Sequence, residues 1–171
     1  MFQAKRRFCA VAGIFLAGCA LGMAVQANAA SLAVLPPGVG LAQLFAPDAR
    51  SGVALYGFDP VTYFLIEGPR PGQPEHEIIW SGLAWRFSSA ANREAFARDP
   101  EAYAPRLGGY DATAAAGGLV VEANPLLFAV RAEGLYLFRS DHARARFMAD
   151  ESIAQRAEQR WSDLKKELIE P

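Results

Sequence analysis

Short apolar runs separated by glycine- and proline-rich turns begin near residue 53 and continue along the rest of the chain. Two pairs of these runs are rich in β-branched and aromatic residues and flank a short turn: residues 78–80 and 83–87 around Ser81-Gly82, and residues 127–130 and 135–138 around Ala132-Glu133-Gly134. Strand-forming residues on both sides of a short glycine-containing turn are typical of a β-hairpin, so the pattern predicts two hairpins.

Helix signals follow both hairpins. Ser88 or Ser89 is placed to cap a helix that ends at Asp99-Pro100, because proline disfavours helical geometry in the residue before it. Ser140 or Asp141 is placed to cap a second helix. Towards the C-terminus, apolar residues recur at steps of four, four, three and four on one helix face: Ile153, Ala157, Trp161, Leu164 and Leu168.

The remaining segments give weaker signals. Residues 53–56 form a short strand candidate, and residues 61–66 fit either a further strand or a tight helical turn. Residues 110–116 form a short segment between two glycine pairs. The fold class expected is therefore α+β, a small domain of two short β-hairpins with short helices and a C-terminal amphipathic helix. No internal repeat is predicted.

The first thirty residues have the pattern of a secretory signal. Lys5, Arg6 and Arg7 precede an apolar run over residues 8–25, and Ala27-Asn28-Ala29 supplies small residues at a cleavage position. We expect residues 1–30 to be a signal peptide and residues 31–52 to be a Pro/Gly/Ala-rich lead-in. The domain then covers residues 53–169, in a periplasmic or secreted protein.

Removing such a leader changes the available chemistry. Both cysteines, Cys9 and Cys19, lie within it, which excludes a disulfide, a thiolate-bound metal and a cysteine nucleophile in the mature chain. The alternative is a lipoprotein, since Leu16-Ala17-Gly18-Cys19 resembles a lipidation box, and membrane attachment is expected only then. The leader holds three of 17 basic and none of 18 acidic residues, so 14 and 18 remain, a net charge of −4 that disfavours nucleic-acid binding.

The order of several motifs resembles the YHS family. Residues 57–64 (GFDPVTYF) are similar to the family's opening Y-D-P-V motif, and residues 80–88 (WSGLAWRFS) to its aromatic-x-G-x-x-aromatic-x-F hairpin. Further matches at family spacing are Asn92, Phe96, Pro100, Tyr103, Pro105, Gly108-Gly109-Tyr110 and Leu135-Tyr136-Leu137, the last two typical of the exported branch. The resemblance covers residues 55 to 164.

The resemblance implies a small treble-clef-like or TRASH-like module that binds metal through cysteines. This chain instead has Thr62, Ser88, Asn92 and Asp111 at the cysteine positions, so the thiolate site does not carry over. A carboxylate at residue 111 would shift preference towards hard metals. The structural alternative is that Asp111 begins a short helix, where the helix dipole favours a negative charge.

The family's motif positions predict a ligand or metal crevice bounded by Asp59, Tyr63, Tyr110 and Asp111. The structural alternative for Asp59, which precedes Pro60, is an Asx-type turn.

The two histidines of the chain are further candidate ligands. His76 lies between Glu75 and Glu77 and is expected in an exposed loop, and His142 is expected at a helix start. Zinc usually requires three or four protein ligands, and no local cluster supplies them.

Three functions stay open. The first is an exported, non-enzymatic YHS-type module that binds a small ligand or a metal ion of unknown identity. The second is a protein-interaction scaffold that uses the C-terminal helix around Trp161. The third, an accessory enzyme, has less support, because the sequence contains no G-x-S-x-G, H-E-x-x-H, P-loop or G-x-G-x-x-G motif.

Overall fold

The computed structural model describes Phe45 and residues 52–169. Among these, β1 (Gln73–Trp80) pairs antiparallel with β2 (Leu83–Phe87), and β3 (Asn124–Arg131) pairs antiparallel with β4 (Gly134–Phe138). The helices are α1 (Ala90–Arg98), α2 (Pro100–Tyr103), α3 (Ala112–Ala116), α4 (Asp141–Ala149) and α5 (Ser152–Ile169). Short 3-10 helices cover Leu55–Gly57, Pro60–Phe64 and Arg106–Gly109. The α+β class and both hairpins are confirmed.

Serine side chains begin the helices that follow the hairpins. The Ser89 hydroxyl accepts a hydrogen bond from the backbone N–H of Asn92 (3.2 Å), and the Ser140 hydroxyl accepts one from Ala143 (3.2 Å). Each hydroxyl satisfies an N–H group that the first helical turn leaves free, which fixes where α1 and α4 begin. Of the candidate caps, Ser89 and Ser140 have this role.

The two hairpin–helix units form an internal structural repeat, which the sequence did not predict. Strand β1 pairs Gln73 with Phe87 and then resumes at Glu77, and β3 pairs Asn124 with Phe138 and then resumes at Phe128. All of these positions are related by a shift of 51 residues, including the irregularity itself. A register break at equivalent places is difficult to explain unless both units share one architecture.

A left-handed turn before each unit is also repeated. Leu55, Tyr56 and Gly57 have φ values of 52°, 54° and 84°, and Leu107, Gly108 and Gly109 have 55°, 60° and 81°. Positive φ is disfavoured for residues with a side chain, so three in succession are unusual. The repeat therefore begins at this turn and runs through the hairpin to the end of the following helix.

Each unit centres on its own aromatic core. In the first, Phe96 of α1 packs against Trp85 and Phe87 of β2, both with ring centroids 5.1 Å away. In the second, Phe147 of α4 packs against Tyr136 and Phe138 of β4, at 4.9 and 5.0 Å. These aromatic positions correspond through the same shift of 51 residues, and their burial stabilises each hairpin against its helix.

The first segments of the described chain agree only in part with the sequence predictions. Val53 makes an isolated bridge to Ala84 and is followed by the 3-10 helix at Leu55, so the predicted strand over residues 53–56 is wrong. For residues 61–66, the helical-turn alternative is correct. Residues 1–30, both cysteines and the lead-in apart from Phe45 and Gly52 lie outside the described residues.

The apolar face predicted for the C-terminal helix packs onto the domain. Ile153, Ala157 and Leu164 of α5 are buried in the core cluster that includes α3. Within the described part of the chain, no helix is both long enough and apolar enough to cross a membrane.

Candidate functional site

Asp59 is fully buried and accepts hydrogen bonds from three different residues. Its Oδ1 accepts from the backbone N–H of Val61 (2.9 Å), which forms the predicted Asx turn. Its Oδ2 accepts from the backbone N–H of Ser88 (2.8 Å), the Ser88 hydroxyl (2.7 Å) and the Asn92 amide (2.7 Å). Because each bond is to a carboxylate in a water-excluded site, this group ties the opening turn to β2 and α1.

Three residues that the sequence resemblance sets at cysteine positions, Thr62, Ser88 and Asn92, make hydrogen bonds with Asp59. Ser88 and Asn92 bind its carboxylate directly, and the Thr62 hydroxyl donates to the Asp59 carbonyl oxygen (2.7 Å) while accepting from the N–H of Arg70 (2.9 Å). Among the described residues, no group of three or more His, Cys, Asp or Glu side chains is placed to hold a metal ion. In this first unit, Thr62, Ser88 and Asn92 are therefore held by hydrogen bonds to Asp59 or to the backbone beside it.

Asp111 performs the equivalent task in the second unit. It is buried, its Oδ1 accepts from the N–H of Ala114 (2.8 Å) as the cap of α3, and its Oδ2 accepts from the N–H of Arg139 (2.6 Å). Ser88 and Arg139 both directly follow their hairpins and correspond through the shift of 51 residues. The structural alternative stated for Asp111, a helix start, is therefore what the structure shows.

The two tyrosines of the predicted crevice are buried in different surroundings. The Tyr63 hydroxyl donates to the Pro125 carbonyl oxygen (3.0 Å), and burial, with the nearby Asp59 charge, raises its pKa. Tyr110 packs its ring 6.0 Å from that of Trp161, and burial followed by the Glu122 charge raises its pKa. Neither phenol is prepared to lose a proton near neutral pH, which argues against an acid–base role.

The other predicted site residues lie apart from these aspartates in the fold. His76 is in the irregular part of β1 and half-buried, so its expected place in an exposed loop is wrong; the strand extends further back than its β-forming residues indicate. His142 is exposed in the first turn of α4, as predicted. Trp161 is half-buried on the face of α5 that packs onto the core.

Alkaline pH is expected to destabilise the protein through its buried phenols. Burial and Glu158, which accepts a hydrogen bond from the Tyr136 hydroxyl (3.0 Å), raise the pKa of Tyr136 from 10.0 to about 12. A pKa that is higher in the folded state gives a stabilisation that is complete below pH 10 and is lost as the pH rises to the folded value. Urea denaturation between pH 9 and pH 12 should therefore show falling stability. The stability of Tyr136→Phe should fall less steeply with pH than that of the wild type. An equal dependence of stability on pH in both proteins would show that Tyr136 does not cause the loss.

A surface groove of about 420 Å³ lies beside Asp111 in the second unit. Its walls come from α3, residues 119–121, the start of α4 and the first turns of α5, and three arginines line it: Arg139, Arg146 and Arg156. Arg156 pairs with Asp150 (3.3 Å), and hydrogen bonds from Ser152 and Arg156 lower the pKa of that carboxyl. Among the described residues, the side chains of Arg139 and Arg146 have no hydrogen-bond or ion-pair partner.

The groove occupies the position that the Asp59 cluster fills in the first unit. Asn92, whose amide binds Asp59, corresponds to Ala143, and Ser88, whose hydroxyl binds Asp59, corresponds to Arg139. Two side chains that close the first site are thus replaced by a methyl group and by an exposed guanidinium. The repeat therefore has one saturated site and one open, cationic site.

Sequence reasoning missed these arginines. Arg146 lies in α4, but Arg139 precedes the Ser140 cap of that helix, so no helical spacing in the sequence pairs the two residues. Arg156 comes from the next helix, and only the packing of α5 against α3 brings it to the same groove.

Comparisons with known proteins identify no relative from which a function could be inferred. No family model matches the chain, and no curated protein or solved structure matches it either.

Proposed function

We propose that this protein is an exported, non-enzymatic YHS-like module that binds a small organic anion in the groove beside Asp111. The observation that carries the proposal is the pair of guanidinium groups, Arg139 and Arg146, that line one concave surface without an internal counter-ion among the described residues. A chain with a net charge of −1 and a calculated mature charge of −4 gains nothing in general solubility from concentrating positive charge at one place.

The chemistry of arginine favours a carboxylate or phosphate ligand. The guanidinium keeps its charge at any physiological pH, and its planar donors match two oxygens of an anion at once. Placing like charges in one groove costs Coulomb energy, which a bound anion recovers. Arg156, which is already paired with Asp150, adds positive potential at the far wall.

The apolar part of the groove favours an organic ligand over a bare inorganic ion. Leu119, Val121 and Ile153 line it beside the arginines. Leu119 is also 63% exposed, so a ligand that covers it removes apolar surface from water, which is favourable. A hydrocarbon portion attached to the anionic group would supply that contact.

The two other ligand classes have less support. A metal ion would meet the positive charges of Arg139 and Arg146, and the Asp111 oxygens already accept backbone N–H groups. A protein partner on the apolar face of α5 would compete with the domain's own core, because that face is buried.

Exchange of both unpaired arginines is expected to abolish most of the binding. We expect the mature protein to bind phenylacetate, and the binding can be measured from NMR chemical-shift changes at residues 113–121 and 139–146. The affinity should be lower at high salt. Arg139→Gln with Arg146→Gln removes two charge-assisted contacts and should weaken binding about 100-fold.

The matched control is Arg98→Gln with Arg144→Gln, which changes the net charge equally. Both residues are exposed, and neither lines the groove. Its affinity should equal that of the wild type. The proposal is wrong if the wild type shows no saturable shifts, or if the control loses as much affinity as the groove variant.

A further inference from the structure

Arg156 is the third guanidinium of the groove beside Asp111, and its present partners lie outside that groove. Its Nη2 is 3.3 Å from Oδ2 of Asp150, and its Nη1 donates to the Ser152 hydroxyl. Neither Asp150 nor Ser152 lines the groove, whereas Arg156 does. Both side chains of the ion pair are about half exposed, and exposed ion pairs contribute little to stability. Arg156 can therefore exchange Asp150 for a stronger acceptor at small cost.

The corner between α4 and α5 holds Arg146 and Arg156 at the same groove. The N–H of Asp150 donates to the Arg146 carbonyl oxygen (3.1 Å), and the N–H of Ile153 donates to the Asp150 carbonyl oxygen (3.2 Å). These backbone bonds fix the corner. Because Arg156 already lines the groove, its transfer from Asp150 to a bound ligand requires movement of its side chain only.

Ser140 adds an uncharged donor to the same surface. Its hydroxyl lines the groove and accepts from the N–H of Ala143 (3.2 Å). Within the part of the chain that the structure describes, the hydroxyl hydrogen itself has no acceptor, so it is available to a ligand. A hydroxyl supplies both a donor and acceptor lone pairs, and only the lone pairs are used here.

The negative charge that lines the groove is already engaged. Asp111 is 2% exposed, and its two oxygens accept the N–H groups of Ala114 (2.8 Å) and Arg139 (2.6 Å). It is the single carboxylate among the described residues that line the groove, against three guanidinium groups. The lining charge is therefore positive by two units, which favours a dianion over a monoanion.

A phosphate monoester uses these donors more fully than a carboxylate does. Arg139 and Arg146 alone can bind both oxygens of a carboxylate, which leaves Arg156 and the Ser140 hydroxyl without a role. A phosphate monoester has three free oxygens that accept strong hydrogen bonds, and it carries nearly two negative charges above its second pKa of about 6. Its third oxygen and second charge are the features that a third arginine would recognise.

We propose that the ligand class of this groove is an organic phosphate monoester and that Arg156 leaves Asp150 to bind it. This inference rests on the proposed function and adds Arg156 to it as the residue that distinguishes a phosphate from a carboxylate. Arg139 and Arg146 bind either anion, and Arg156 binds the phosphate only.

The test compares phenyl phosphate with phenylacetate, which both carry a phenyl ring and differ in the anionic group. Titration of the mature protein at pH 8 should give about tenfold tighter binding of phenyl phosphate. Arg156→Gln should weaken phenyl phosphate binding about tenfold and phenylacetate binding less than about twofold. Arg144→Gln removes the same charge from an exposed residue of α4 that does not line the groove, and should leave both affinities unchanged.

Asp150→Asn provides the opposite change. Asparagine keeps an oxygen for the Ser152 N–H (2.9 Å) but loses the charge that holds Arg156. Phenyl phosphate should then bind about threefold more tightly than it binds the wild type. Adding Asp150→Asn to Arg156→Gln should give no such gain. A gain of equal size in that double variant, or none in Asp150→Asn alone, would contradict the release of Arg156.

Failure of this inference differs from failure of the proposed function. If neither probe binds the wild type, the proposed function is wrong, and this inference falls with it. If phenylacetate binds through Arg139 and Arg146 but phenyl phosphate binds no more tightly, this inference alone is wrong. Equal weakening of both probes by Arg156→Gln would overturn it as well. All the exchanged side chains are exposed, and thermal unfolding curves verify that each variant is folded.

Discussion

Replacing Asp59 with alanine is expected to lower the free energy of unfolding by about 4 kcal/mol, a large part of the 5–15 kcal/mol typical of a domain. The variant removes the acceptor of the Val61 and Ser88 N–H groups and of the Asn92 amide, at a carboxylate that is itself fully buried. Each buried donor left without an acceptor costs roughly 1–3 kcal/mol. Urea denaturation, monitored by tryptophan fluorescence, to which Trp80 and Trp85 of the neighbouring core contribute, measures the loss.

Two further aspartates provide a graded control for this prediction. Asp111→Ala frees two backbone N–H groups, those of Ala114 and Arg139, and should cost about 2–3 kcal/mol. Asp99→Ala removes an exposed cap with one hydrogen bond of 3.3 Å, to Ala102, and should cost about 1 kcal/mol or less. If Asp59→Ala were no more damaging than Asp99→Ala, the Asp59 cluster would not hold the first unit together.

The order of these losses follows from how far each carboxylate reaches along the chain. Asp99 binds three residues away, whereas Asp59 binds Ser88 and Asn92, 29 and 33 residues away. Local bonds form within one element, but the Asp59 bonds connect three elements. Loss of Asp59 therefore removes the hydrogen bonds of this cluster that join the opening turn to Ser88 and Asn92, and leaves only the bond from the Asn92 amide to the Ser88 hydroxyl (3.2 Å).

The sequence predicted those features that depend on neighbouring residues. Strand-forming runs around a glycine-containing turn identified both hairpins. Capping residues after the strands placed the helix starts at Ser88 or Ser89 and at Ser140 or Asp141, of which Ser89 and Ser140 are the caps. The Asx turn at Asp59 was predicted because its acceptor and donor are two residues apart. In each case the interacting groups lie within a few residues, so their pattern is visible before folding.

The sequence could not predict the repeat, because it is carried by backbone geometry more than by residue identity. Trp85 corresponds to Tyr136, Ser88 to Arg139 and Tyr56 to Gly108, so side chains differ where φ values and strand register agree. Phe96 and Phe147 are retained because each fills the space between a hairpin and its helix. Two phenylalanines 51 residues apart in the sequence are too weak a signal to predict an internal repeat without the structure.

The repeat also shows that the motif residues have different surroundings in the two units. The motif residues Asp59, Thr62, Ser88 and Asn92 do meet in space, as the resemblance implies, but they satisfy one another. The open counterpart lies beside the motif residue Asp111, at Arg139 and Ala143, which belong to no motif. Polar side chains that fill a site and small ones that leave it open have opposite consequences for ligand binding, which sequence motifs alone do not distinguish.

Phe147→Ala is expected to destabilise the whole domain, by about 3–5 kcal/mol, and to do so as much as Phe96→Ala. Both rings are fully buried. Phe147 contacts two aromatic rings of its own hairpin at 4.9 and 5.0 Å, and Phe96 contacts two at 5.1 Å and a third, that of Trp80, at 5.6 Å. Ile79→Ala is the matched control, because Ile79 is 70% exposed and its truncation should change stability by less than about 0.5 kcal/mol.

The two units should nevertheless unfold in one transition, because their cores interlock. Tyr63 of the first half packs its ring 5.1 Å from that of Phe128 in β3 and donates its hydroxyl hydrogen to the Pro125 carbonyl oxygen. Leu135 and Leu137 of β4 belong to the first core cluster. Loss of Phe147 in the second core should therefore lower the free energy of unfolding of the first core by the same amount as that of the second. Hydrogen exchange at the β2 amides in Phe147→Ala reports this directly. Protection of those amides at the wild-type level, with exchange only in β4 and α4, would show that the units are independent and that the shared contacts of Tyr63 do not couple them.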